Sequence, residues 1–222
     1  VAALKKFFSG SPAAARVTPF AVFLGLTVCQ GQFGAASAFW FYLAKTVAGA
    51  WLLIEVRPYV TEMRWKASVE AVAVGIAVFA AWVGLDPLYQ KIFHTGATGN
   101  PFDIFDRNAV LAWFFIAVHL IGMTVIVPPI EEIFYRSFIY RYIATKDFLS
   151  ISPGQFLPVP FFATAIIFGL SHNEWLPGIL CGMAYQWLVI RKKRLGDAMT
   201  AHAITNLLLG IWIVWRHQWH FW

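Results

Sequence analysis

Glu131 and Glu132 stand side by side in the apolar run VPPIEEIFYRSFIYRY (127–142), and Arg136 follows four residues after the second of them. Two more segments show the same oddity: FGLSH ends in His172, and HAITN holds His202 and Asn206. An ionisable group inside a membrane helix costs roughly 2.5–3.5 kcal/mol on insertion scales, so such residues are read as functional first. Helical spacing sorts their roles. Glu132 and Arg136 are i,i+4 neighbours and can pair on one face. Glu131 points about 100° away from that face and has no local partner, which leaves it for chemistry. His202 and Asn206 also share a face. A carboxylate, two imidazoles and an amide from three helices can surround one water-filled pocket. A desolvated glutamate can take a proton from water, and a histidine can orient that water. Imidazole and amide N–H groups can donate to a developing oxyanion. These residue types suit hydrolysis.

Other polar residues in apolar stretches have simpler readings. Lys45 is expected to snorkel toward an interface. Glu70, near a helix start, is expected to face water, and His119 is read as a core or interfacial residue. The case for chemistry rests on three clusters occurring together.

The elements that must position these groups follow from composition. The chain has 222 residues, 59% of them hydrophobic and 13% charged, whereas soluble domains carry about a quarter charged residues. That balance predicts an all-α, polytopic integral membrane bundle forming one domain over 1–222. The net charge of +6 falls mostly in short loops, which is a topology signal and not a nucleic-acid footprint. Seven candidate spans are 17–34, 37–54, 67–85, 109–129, 156–173, 175–190 and 197–215. The fourth runs on through the acidic motif as one kinked helix from about 110 to 146. Pro128-Pro129 would make eight segments if they broke it. The polar segment 86–108, with HTGATGNPFD, reads as an ordered loop. The first span reads as an uncleaved anchor despite the ASA at 36–38. Cys29 and Cys181 show no CxxC or disulfide pattern and read as buried apolar residues.

With the N-terminus in the cytoplasm, thirteen Lys and Arg fall in inside segments and three (Lys91, Arg107 and Arg216) outside, with Lys45 inside a span. That is the positive-inside pattern. Trp212, Trp215, Trp219 and Trp222 then form an aromatic end on the outer face. His172 near the end of one span and His202 near the start of the next but one meet only if the helix before His172 is short or broken. The pocket is expected at mid-membrane, reached by water from the cytoplasmic side.

EEIFYR, FGLSH and HAITN resemble the EExxxR, FxxxH and HxxxN motifs of the CAAX-protease and bacteriocin-processing (CPBP) family of intramembrane proteases, in the same order. The likeness covers roughly 110–215. GLDPLY (84–89), TNLLLGIWIV and QWHFW further resemble the exosortase-associated branch. The resemblance implies a glutamate-dependent intramembrane endopeptidase without a cofactor or metal, acting on a membrane-associated peptide or protein in a bacterial inner membrane. Glu131 would be the water-activating base, His172 its assistant, and His202 with Asn206 the oxyanion-stabilising pair. Glu132, Arg136 and Phe168 would be structural supports. Ser137 departs from the glycine that many members carry after the arginine.

Two other functions compete. Glu131, His172 and His202 could form a zinc set with one open position, although no HExxH helix is present. A member of the same fold could instead serve as a binding, immunity or assembly subunit. Transport fits poorly, because no repeated or paired broken helices are visible.

Overall fold

The computed structural model describes residues 2–92 and 99–222, so part of the HTGATG stretch of the predicted loop lies outside the described residues. The regular structure of the described residues is helical: α1 (Ala2–Gly10), α2 (Pro12–Val28), α3 (Ser37–Val56), α4 (Val69–Leu85), a short α5 (Pro101–Ile104), α6 (Ala109–Ala144), α7 (Pro158–Leu170), α8 (Trp175–Lys192) and α9 (Gly196–Arg216). Their starts carry sequence-readable caps. Ser11, Ser68 and Asn108 each accept a backbone N–H of the first turn of α2, α4 and α6, and Pro12 and Pro158 occupy first-turn positions where no N–H is needed.

Among the described residues, four helices are long and apolar enough to cross a membrane: α3, Val69–Leu88, α6 and α9. The pair α1–α2, bent by 118° at its break, makes up to five. The sequence count of seven to eight included two helices that fall short of this measure. α7 has 13 residues, about 20 Å at 1.5 Å per residue, against a hydrocarbon core of about 30 Å. α8 has 18 residues but includes Gln186, Arg191 and Lys192, and it is not apolar enough.

α6 is continuous over 36 residues, as the proline pair permits. Its register is not uniform. π-helical turns at Gly122–Ile126 and Ile133–Ile139 flank the α-helical Val127–Glu132. Pro128 and Pro129 cannot donate to the preceding turn, and a wider turn absorbs the lost bonds. The acidic pair therefore sits between two irregular turns.

Small residues let the remaining helices close on one another. A Cβ on Gly169 would lie 2.3 Å from Ile179, one on Gly178 2.9 Å from the Gly169 Cα, and one on Gly182 2.8 Å from the Ala165 Cα. α7 and α8 thus meet backbone to backbone, as small-xxx-small pairs allow in membranes. Gly75 of α4 plays the same part against α9, where a Cβ would come within 2.7 Å of the Ala201 carbonyl. That contact sets the depth of His202, the next residue.

Candidate active site

Glu131, His172, His202 and Asn206 line one cavity of about 170 Å3. Trp82, Phe168, Cys181, Tyr185 and Thr205 complete much of its wall. The depth problem is solved by α7: at 13 residues it ends early, and the turn after it delivers His172 to the level of His202.

Glu131 and Glu132 diverge as their spacing predicts. Glu132 is fully buried. Glu131 faces the cavity, and its Oε2 is buried without a hydrogen-bond partner. The same oxygen lies 4.0 Å from His202 Nε2, too far for a direct hydrogen bond and suited to a shared water. A polar cavity of this size readily holds one.

Glu132 does more than pair with Arg136. Its Oε2 is 3.2 Å from Arg136 Nε, but its Oε1 accepts from His202 Nδ1 at 3.0 Å. It was expected to turn away toward Arg136; it serves both groups. Because a carboxylate only accepts, His202 carries its proton on Nδ1 and presents Nε2 to Glu131. The Arg136 guanidinium makes no well-aligned hydrogen bond, despite its ion-pair distance. It lies 4.3 Å from the Phe168 ring centre, with the Tyr135 and Tyr185 rings at 5.7 and 5.6 Å. Phe168 thereby joins the arginine to the histidines: its ring is 4.7 Å from that of His172 and 6.2 Å from that of His202.

His172 is fixed by similar reasoning. Its Nδ1 is 2.7 Å from the Phe168 carbonyl, which can only accept. Nδ1 therefore holds a proton, and in the neutral ring Nε2 carries the lone pair. Trp82 meets the ring edge-on at 5.6 Å. Asn206 donates from Nδ2 to the Met123 carbonyl at 2.7 Å, a carbonyl within the first π-turn of α6. That bond fixes the amide plane and leaves its second N–H available.

Several residues escaped sequence reasoning. Tyr185 and Thr205 hydrogen-bond at 2.7 Å beneath His202, and Tyr135 donates to Ser171 beside His172. Tyr135 lies within the EEIFYR motif, but nothing in its spacing marked it. The other in-span polar residues are also placed. Lys45 does not snorkel; it is buried, and His119 is buried with it. Glu70 pairs with Arg191 and Lys192. The cavity wall runs toward Glu174 and Phe221, near the end of the bundle where α4 finishes. The basic loops contribute none of its lining, so the expected approach from their side is not what the lining favours. Among the described residues, no three His, Cys, Asp or Glu are grouped as a metal-ligand set.

Residues 109–208 match the family model described as Type II CAAX prenyl endopeptidase Rce1-like, just under half of the chain. No curated protein and no solved structure matches the chain. The match excludes GLDPLY and QWHFW, so it does not bear on the exosortase-associated branch. The segment that supplies Glu131, His172, His202 and Asn206 is thus similar to the Rce1-like type II CAAX prenyl endopeptidases.

Proposed function

We propose that the chain is a glutamate-dependent intramembrane endopeptidase that hydrolyses a peptide bond of a membrane-associated substrate. The observation that carries this reading is the unpartnered Glu131 Oε2 in a cavity shared with His172, His202 and Asn206. A water between Glu131 and the imidazoles gives its proton to the Glu131 carboxylate as its oxygen attacks the peptide carbonyl. His172, with its Nε2 lone pair inward, accepts the water's other hydrogen bond and orients it. The free N–H of Asn206 and the Nε2 of His202 lie on the side where the oxyanion grows. Donation from Nε2 requires the imidazolium, whose Nδ1–H is held by Glu132. Glu131 then passes its proton to the departing amine. The basic loops around Arg57, Arg64, Lys66 and Arg191–Arg194 support a cytoplasmic N-terminus.

The test is product analysis. Purified protein in liposomes is incubated with a mixture of membrane-tethered peptides, and new termini are identified by mass spectrometry. New termini with the wild type and none with Glu131→Gln are expected. Equal cleavage by both proteins would reject the assignment of the base.

A further inference from the structure

A second cavity, of about 770 Å3, adjoins the first and shares Met123, His172 and Phe221 with it. Its lining includes Lys45 and His119 and no Asp or Glu. Lys45 is more than nine-tenths buried, and among the described residues no carboxylate lies within ion-pair distance of it. Its surroundings are built for an ammonium. Nζ donates to Gln30 Oε1 at 2.6 Å and to Thr27 Oγ1 at 3.0 Å. Both acceptors are oriented by other bonds: Gln30 Nε2 donates to the Ala38 carbonyl, and the Thr27 hydroxyl to the Phe23 carbonyl. The Phe23 and Tyr42 rings lie 4.5 and 4.6 Å from Nζ, at cation–π range. An ammonium has three N–H donors, and the protein takes two of these. His119 is clamped between Tyr42 and Trp222, with ring centres at 3.7 and 4.2 Å, and its Nδ1 has no hydrogen-bond partner.

A buried cation with no carboxylate at ion-pair distance among the described residues, on the wall of a cavity, can take an anion. We infer that the cavity beside Lys45 binds a carboxylate of the peptide whose bond lies at Glu131. One ammonium balances one carboxylate; a dianionic phosphate would be left half neutralised. The two cavities divide the charge, with Glu131 and Glu174 lining the first and Lys45 the second. A peptide running through the shared wall places its scissile carbonyl by Glu131 and its negative group by Lys45. The carboxylate belongs either to the substrate's C-terminus or to an Asp or Glu side chain near the cleaved bond. The identity of the ligand as peptide rests on the peptidase reading; the anion site does not.

The test is calorimetric binding in detergent to Glu131→Gln protein, so that no probe is consumed. Three probes are compared: acetyl-Leu-Phe-Leu as the free acid, the same peptide as its amide, and acetyl-Leu-Asp-Leu-amide. At least one carboxylate probe should bind about tenfold or more tighter than the neutral amide, a difference of about 1.4 kcal/mol. A preference for the first acid identifies a C-terminal site, and a preference for the Asp probe a side-chain site. Lys45→Met should remove the preference and Lys45→Arg should keep it; Lys45→Gln replaces Met if that variant does not fold. Equal binding of all three probes, or a preference that survives Lys45→Met, overturns the proposal. So does displacement of the acid probe by inorganic phosphate at the same concentration. Because binding is read without turnover, failed cleavage in the liposome experiment leaves this result standing, and failed binding leaves the cleavage result standing.

Discussion

Two buried polar clusters bracket α6, and they are finished to different degrees. The first joins Arg16, Glu62, Ser137 and Arg141. Glu62 accepts from Arg16 through both oxygens, from Arg141 at 2.9 Å and from the Ser137 hydroxyl. Arg16 also reaches the Pro12 carbonyl, and Arg141 the Ser137 carbonyl. No side-chain atom of this cluster is left buried and unpaired. The second joins Glu131, Glu132, Arg136 and His202. There Glu131 Oε2, Glu132 Oε2 and all three guanidinium nitrogens lack a well-aligned partner. A satisfied network rigidifies, whereas a partly satisfied one beside a cavity holds capacity for a ligand or a reacting water. The first cluster ties α2, the 57–68 segment and α6 together. The second has donors and acceptors in reserve.

Substitutions can break this contrast, beginning with the largest effect. Glu132→Gln strands Arg136, and removing one partner of a buried pair costs about 3–5 kcal/mol. It also weakens the bond to His202, a charge-assisted hydrogen bond of about 1.5–3 kcal/mol, so cleavage by the surviving folded protein should fall about ten- to hundredfold. Denaturation in detergent and turnover per folded molecule check the two halves. A purely structural Glu132 would move the first only.

Glu62→Gln should cost about 3 kcal/mol, because two arginines lose their counter-ion, with turnover per folded molecule unchanged. A pH series sharpens this. Burial alone would raise the Glu62 carboxyl, but Arg16 beside it and the Ser137 hydroxyl hold it below the ordinary carboxylate value of 4.5. A group depressed in the folded state contributes fully above its unfolded value and loses that contribution as pH falls through its folded value. The stability gap between wild type and Glu62→Gln should therefore be constant near neutrality and shrink as pH drops below 4.5. A gap that widened in acid would contradict the assignment. The smallest effect is expected for Ser137→Gly, which restores the more common residue of the motif. It removes the hydroxyl that accepts from Arg16 and Arg141 and donates to Glu62, a loss of about 1–3 kcal/mol.

The second cluster was far more legible in the sequence than the first. Glu131, His172, His202 and Asn206 announced themselves because each is costly in an apolar segment. Glu132 and Arg136 followed from i,i+4 spacing. By contrast, Arg16 and Arg141 entered the sequence reading as loop charges, and Glu62 attracted no notice. It lies in an irregular segment, where no periodicity says which side chains turn inward. The contact from Glu132 to His202 was equally hidden, since 70 residues separate the pair. α6 was read correctly as one helix across Pro128-Pro129, but its π-turns left no mark, because the single extra residue each π-turn inserts vanishes in a 3.6-residue pattern. α7 was overestimated because hydropathy counts Phe156 and Leu157, which precede its first turn, as membrane residues. Lys45 was assigned to an interface from its type alone, and only the fold shows that Thr27 and Gln30 bring acceptors to it.

The central claim is that the unfinished cluster performs chemistry and the finished one holds the bundle together. The most direct measurement pairs thermal denaturation with peptide-cleavage rate for Glu131→Gln in one detergent preparation. A general base contributes on the order of 10²–10⁴ in rate, so cleavage should fall by that factor while the melting midpoint stays within about a degree of wild type or rises. A variant that melts early yet cleaves normally when folded would make Glu131 a structural residue and contradict the account.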